Sequence, residues 1–271
     1  MQIRLLTAGV LAPIVVCGIV FLSPDQVAAL LGIFLVVGAW EWSGLLGWKR
    51  KAGRVLYTGT LVLCAVIVWR WNEHVAVFPH LHFLAIIWWI LALVLVIAAQ
   101  RQRLGKFVAS AGNGVSGLLV LLPAWSAIVW LLNNDRAMLL SLFALIWVAD
   151  AAAYFVGRKY GRVRLASNVS PGKSWEGVAG GVGFGVVCAI AISRSVLLSD
   201  NAGWAFVIVA MVTIFASIIG DLFESMLKRN IGAKDSGQIL PGHGGVLDRI
   251  DGLVAAAPVF AVGLHQWVYK L

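Results

Sequence analysis

The chain has 271 residues, of which 61% are hydrophobic and 12% charged. A soluble globular domain carries about 25% charged residues, so this composition excludes an ordinary soluble fold and points to a polytopic membrane protein. The formal net charge of +9 could suit nucleic acid, but the chain shows no basic groove interleaved with aromatics, and no nucleic-acid partner is expected.

In chain order, nine apolar spans are expected at roughly 5–22, 27–47, 55–71, 83–99, 115–133, 137–157, 175–197, 204–227 and 252–269. The first follows Met1 to Arg4 and resembles a signal peptide, but a second apolar run follows at once, so it reads as a retained helix. The third and fourth are short, which leaves room for a broken or re-entrant helix. With no internal repeat and no low-complexity linker, the chain reads as one all-α transmembrane domain over 1–271. Spans before residue 110 form mainly scaffold, and 137–271 form the half that carries chemistry. Cys17, Cys64 and Cys188 all lie in apolar runs and read as small buried hydrophobes. Tryptophans such as Trp40, Trp42, Trp48, Trp69, Trp71, Trp125 and Trp130 fall near span ends and read mostly as interface anchors.

The basic residues orient the chain. One set of loops holds 17 of the 21 Lys and Arg residues, and the other side keeps only Arg70, Arg136, Arg194 and Lys270. The positive-inside rule therefore puts the N-terminus and the basic loops in the cytoplasm, in a bacterial-type inner membrane with anionic headgroups. Nine spans place the C-terminus outside; eight would place it inside.

Three motifs are weak on inspection. Gly112, Gly114 and Gly117 match a dinucleotide-binding pattern literally, but lie between two spans with no alternating strand and helix. His80 and His82, with His74, read as an ordinary exterior loop. Gly172-Lys173-Ser174 lacks the glycine a phosphate-binding loop needs four residues earlier, where Asn168 stands, and no preceding strand is expected. The same segment is more informative as a whole. Ser170, Pro171, Lys173, Ser174 and Glu176 form a stiffened turn just before a helix whose N-terminus attracts anions. Gly177, Gly181 and Gly185 follow as a small-residue stripe, the pattern of close helix packing.

Glu41, Asp150, Asp221 and Glu224 lie inside spans, and Glu176 begins one. Such acids mark function by default, although each could instead pair with a basic residue to help folding. All sit toward the cytoplasmic ends of their spans, at one depth. Asp221 and Glu224 are i,i+3 and Glu224 and Lys228 are i,i+4, so the three share a helix face. Asp248 and Asp251 repeat the i,i+3 spacing at the opening of the last span. Two or three carboxylates with water and substrate phosphates make a Mg2+ site.

Between these acids runs a charged stretch, 225–251. Lys228, Arg229, Lys234 and Arg249 can neutralise charge developing on phosphates. Gly244 and Gly245 let backbone N–H groups approach anionic oxygens, and His243 could donate to a phosphate or shuttle a proton.

The stretch resembles the phosphatidate cytidylyltransferase family, or CDP-diacylglycerol synthases. The family pattern is Ser-x-x-Lys-Arg, four residues, Lys-Asp, a small residue two on, then Leu-Pro-x-His-Gly-Gly and Asp-Arg-x-Asp. Every fixed position is met here from Ser225 through Lys228, Arg229, Lys234, Asp235, His243, Gly244, Gly245, Asp248 and Arg249 to Asp251. Ser170, Lys173, Ser174, Glu176 and the intramembrane Asp150 also look like the family; the N-terminal half is only generally similar. The resemblance implies that CTP and phosphatidic acid give CDP-diacylglycerol and pyrophosphate, for phospholipid biosynthesis.

On that reading Asp221, Asp248 and Asp251 hold Mg2+, with a second cation such as K+ close by as the resemblance allows. Lys228, Arg229, Lys234 and Arg249 grip phosphates, and Ser170, Lys173, Ser174, Asp235, His243, Gly244 and Gly245 complete the substrate site. Asp150, Glu176 and Glu224 support it. Membrane lipids are further partners, and a homodimer is implied. A CTP-dependent lipid kinase is the nearest rival, since it uses similar nucleotide machinery at the γ-phosphate. A transporter would need inverted repeats or paired broken helices, which the sequence lacks. A CDP-alcohol phosphotransferase would need an Arg that the run from Asp251 to Ala256 does not have.

Overall fold

The computed structural model describes residues 13–72, 77–101, 114–196, 199–239 and 244–270. After a helical stretch at 13–21 (α1), the helices are α2 Pro24–Leu45, α3 Lys51–Asn72, α4 Val77–Gln100, α5 Gly114–Asn134, α6 Arg136–Tyr160, α7 Trp175–Ser195, α8 Asp200–Asn230 and α9 Leu247–Gly263. A π-helical turn, Leu264–Val268, closes the chain. Among the described residues, 7 helices are long and apolar enough to cross a membrane, α2 to α8. The expected first and last spans correspond to α1 and to α9 with its π turn.

Local sequence explains several helix starts. Ser23 and Gln26 form a reciprocal capping box ahead of Pro24 at the start of α2, satisfying N–H groups that the helix itself leaves open. Asp135 accepts from the N–H groups of Ala137 (2.9 Å) and Met138 (3.1 Å) to start α6. Arg136 then donates to the carbonyls of Ile19 (2.9 Å) and Val20 (3.1 Å), which secures the open C-terminal end of α1.

The pair α8 and α9 forms the centre. Helix α9 packs against α8, α5 and α4, while α8 also packs against α7 and α4. Helix α7 lies along α6, and the small-residue stripe is the reason. A Cβ on Gly177 or Gly181 would come within 2.9 Å of the carbonyl oxygens of Ala153 and Ala149 respectively, so only glycine admits this approach. Helix α8 has 31 residues and is about 46 Å long at 1.5 Å per residue. That exceeds the roughly 30 Å of a hydrocarbon core. Its last turns, with Glu224, Lys228 and Arg229, can therefore stand clear of the apolar layer.

Several expectations change, among them the exterior loop expected at His80 and His82, which lie in α4 with His82 buried. The segment before α7 is not a plain loop: β1 Arg164–Ala166 and β2 Ser170–Ser174 pair antiparallel, Arg164 opposite Ser174 and Ala166 opposite Ser170. A strand therefore does precede Gly172-Lys173-Ser174, but it forms a local hairpin rather than the parallel strand of a phosphate-binding loop. Gln100 at the end of α4 fixes the hairpin tip, accepting from the Asn168 N–H (2.9 Å) and donating to Ser167 Oγ (3.0 Å). Second, Trp42 and Trp125 are buried rather than interfacial, and Trp42 stacks on Phe223 with 6.3 Å between centroids. Trp88 and Trp89 meet the same Phe223 edge-on, so aromatic rings wedge α8 in place just above its acids. Third, Cys17 is exposed and Cys64 and Cys188 are partly buried; all are free. In a bilayer an apolar thiol can face lipid without cost.

Candidate active site

Helix alternation brings the C-terminal ends of α2, α4, α6 and α8 and the N-terminal ends of α7 and α9 to one end of the bundle, and the polar site is there. It has two connected parts. The first is a cavity of about 520 Å³ between α6, the β-hairpin, α7 and α8, within the size range of small-molecule sites. Asp150, Lys173, Ser174 and Asp221 line it, as do Tyr154, Arg158 and Arg164. Lys173, from β2, forms an ion pair with Asp221 of α8. Ser174 is buried and caps α7, its hydroxyl accepting from the Gly177 N–H (3.2 Å). Glu176 turns away from the cavity and accepts from the Val163 N–H at 3.2 and 3.3 Å, bracing the entry to β1. Ser170 begins β2 outside the cavity lining.

The second part is the charged stretch folded against α8 and α9. Helix α9 starts at Leu247, so Asp248 and Asp251 sit on its first two turns, but they face different partners. Asp248 accepts from Lys228 Nζ (2.6 Å) through Oδ1, and from the N–H groups of Gly245 (2.7 Å) and Ser236 (2.9 Å) and the Ser236 hydroxyl (3.0 Å) through Oδ2. Lys228, Gly245 and Ser236 thus engage both oxygens of this carboxylate. Gly244 enters the turn with φ +79°, a left-handed conformation that suits glycine.

Asp251 bridges the two parts. It lies within hydrogen-bonding reach of Asp221 on one side and Glu224 on the other. Glu224 is buried; its Oε2 accepts from Lys228 (3.2 Å), and among the described residues its Oε1 meets no N–H or O–H partner besides that neighbouring carboxyl. Three acids in a row, with Lys173 at one end and Lys228 at the other, leave more negative charge in the middle than two ammonium groups can hold comfortably.

The expected Mg2+ site can be tested on this arrangement. No three His, Cys, Asp or Glu residues among those described converge in metal-ligand geometry. Mg2+, however, needs only one or two carboxylates when substrate phosphates and water supply the rest. Asp221 and Asp251, with the orphaned Glu224 oxygen beside them, fit that requirement. Asp248, expected as a third ligand, has both oxygens engaged by Lys228 and the loop backbone, and would have to exchange Lys228 for metal.

Arg229, Lys234, Asp235 and Arg249 are exposed, and none of them lines the cavity. His243 lies outside the described residues. Two groups of site residues were not anticipated. Arg158 and Arg164 read as topology signals in sequence, because their spacing does not reveal that α6 and β1 turn them toward one cavity. Glu41 read as an intramembrane acid of uncertain use, and its contacts come from residues about two hundred positions away.

A model of the cytidylyltransferase family matches residues 2–267. The chain belongs to the cytidylyltransferase family. It is 41% identical over 262 residues to a phosphatidate cytidylyltransferase of Pseudomonas aeruginosa, covering 95% of this chain and 94% of the relative. It is 38% identical to the Haemophilus influenzae phosphatidate cytidylyltransferase, covering 95% and 96% of the two chains. The Thermotoga maritima phosphatidate cytidylyltransferase is 34% identical over 264 residues, covering 96% and 94%. The cytidylyltransferase match spans the N-terminal helices as well as the charged stretch, so the similarity extends well beyond one motif.

Proposed function

We propose that this membrane cytidylyltransferase moves the cytidylyl group of CTP to phosphatidic acid, giving CDP-diacylglycerol and pyrophosphate. The observation that carries the reading is the row Asp221, Asp251 and Glu224, held between Lys173 and Lys228, with Asp221 and Lys173 lining a cavity that Arg158 and Arg164 also line. A site with acids for a metal and cations for phosphates suits displacement at phosphorus, where catalysis is positioning and charge neutralisation.

A lipid phosphate oxygen attacks the α-phosphorus of CTP, a new P–O bond forms, and the bond to the bridging oxygen of the β-phosphate breaks as pyrophosphate leaves. The attacking oxygen is already anionic, so no strong general base is required. Lys173, Arg158 and Arg164 neutralise phosphate charge in the cavity, and Lys228 and Arg229 do so from the end of α8. Asp221 and Asp251 would hold Mg2+, which when bound would supply further charge neutralisation on the phosphates. Gly244 and Gly245 bring backbone close to the nucleotide. The excess of basic residues in the loops at this end supports a location at the cytoplasmic face of an inner membrane, where CTP is available, with acyl chains entering between helices. The resemblance also implies a homodimer, which light scattering of the detergent-solubilised enzyme tests.

Purified enzyme supplied with CTP, phosphatidic acid and Mg2+ is expected to release pyrophosphate and lipid-linked CMP in equal amounts. Asp251→Asn is expected to abolish both while the protein remains folded and monodisperse. Wild-type turnover by folded Asp251→Asn would remove the metal assignment.

A further inference from the structure

Glu41 belongs to α2, in the half of the chain that reads as scaffold, and its carboxylate is buried, with the residue 1% exposed. A buried carboxylate in a membrane protein needs compensation. Much of it comes from the charged stretch rather than from a salt bridge. Oε1 accepts from the Val246 N–H (3.0 Å), and Oε2 accepts from the Leu247 N–H (2.8 Å) and the Ser236 hydroxyl (3.3 Å). The nearby Arg54 attracts its charge, but Arg54 donates to Trp40 O (2.7 Å) and Ser43 Oγ (3.0 Å) and lies over the Trp40 ring.

The two N–H groups that Glu41 takes are among those a helix start leaves open, and Val246 offers α9 no side-chain cap of its own. Glu41 thus serves as a cap delivered from another helix, with negative charge at the positive end of the α9 dipole. The loop is shaped to admit it. A Cβ on Gly237 or Gly245 would collide with the Glu41 carboxylate. Asp248 grips the same loop from the other side, through Gly245 N–H and Ser236, and Ser236 Oγ lies in reach of both acids. Two carboxylates therefore clamp Ser236, Gly245, Val246 and Leu247, and α9 leaves that clamp carrying Asp248 and Asp251.

We infer that Glu41 is a positioning residue for the transfer reaction: it fixes the start of α9, and with it the placement of Asp248 and Asp251 against α8. The inference rests on the cytidylyl-transfer reading, and wild-type enzyme in the same assay tests that reading separately. Misplacement of reacting groups by about 1 Å costs on the order of 100-fold in rate.

The test is Glu41→Gln in the full-length enzyme, with turnover measured per folded molecule and trypsin cleavage mapped by site. The amide keeps the shape but sets an NH2 against a backbone N–H. The expected result is a fall in kcat of about 30-fold or more, KM for phosphatidic acid unchanged, and faster cleavage at the exposed Lys234 alone. Cleavage at Lys49 to Lys51 and at Arg162 should keep its wild-type rate. Wild-type kcat, or equal acceleration of cleavage at every site, would overturn the inference, since a purely structural role loosens the whole bundle. Should Glu41→Gln not yield monodisperse protein, Glu41→Asp keeps the charge and withdraws it by one methylene. It is then expected to show the same kcat loss and the same local opening, and wild-type behaviour from it would equally overturn the inference.

Discussion

Replacing Lys228 with methionine removes the ammonium group that, among the described residues, pairs with both Glu224 and Asp248. Its Nζ lies 3.2 Å from Glu224 and 2.6 Å from Asp248, and the three side chains are only 11%, 5% and 8% exposed. Methionine matches its length and leaves two buried carboxylates without their cation. Breaking a buried pair from one side costs about 3–5 kcal/mol. At about 2–4 °C per kcal/mol for chains of roughly this size, Tm should fall by about 6–20 °C. Intrinsic tryptophan fluorescence during heating in detergent reads this directly, because Trp42, Trp88 and Trp89 pack on Phe223 one residue from Glu224. Adding Glu224→Gln to the Lys228→Met enzyme removes one stranded charge and should recover a large part of the Tm loss. Turnover should stay at least about 100-fold down, because the cation that meets phosphate charge is still missing. A Lys228→Met enzyme that melts within about 2 °C of wild type would refute the reasoning, as would a double variant with restored turnover.

Arg158→Ala and Arg164→Ala should each raise KM for an anionic substrate by about 10- to 100-fold, the scale of a hydrogen bond to a charged group, with Tm unchanged; initial-rate kinetics with CTP and phosphatidic acid varied in turn shows which substrate each serves. Gly181→Val should force α6 and α7 apart, since a Cβ there already falls 2.9 Å from Ala149 O, and size-exclusion chromatography in detergent should show loss of the monodisperse peak. Chelation of divalent metal should abolish turnover without changing the helical circular-dichroism signal, and Mg2+ should restore it.

Much of this architecture is legible in the sequence because membrane insertion imposes simple rules. Apolar runs had to become helices, since backbone groups in lipid must be satisfied within the segment. The Gly177, Gly181 and Gly185 stripe likewise announced close packing, which α6 supplies at Gly177 and Gly181 and Ile214 of α8 supplies at Gly185. Asp221, Glu224 and Lys228 share a face because helical spacing requires it. Other features depend on tertiary contacts that no local pattern encodes. Asp248 and Asp251 both meet α8, as their i,i+3 spacing allows, but one reaches Lys228 and the loop and the other Asp221 and Glu224, a division of partners that spacing alone does not show. The hairpin at 164–174 is too short and polar to register as strand. Trp42 sits near a span end, as an interface anchor would, but Phe223 draws it inside. Glu41 was the least legible: an acid in a greasy helix shows that something must compensate it, without showing that the partner is the backbone of a loop some two hundred residues on.

The fate of the phosphates of CTP tests the central claim most directly. Purified enzyme is given phosphatidic acid with CTP radiolabelled at either the α- or the γ-phosphorus, and the lipid and aqueous phases are counted separately. Cytidylyl transfer predicts α-label in the lipid phase and γ-label in aqueous pyrophosphate. Label from the γ-position in the lipid, with CDP left in water, would contradict the account and make the protein a lipid kinase.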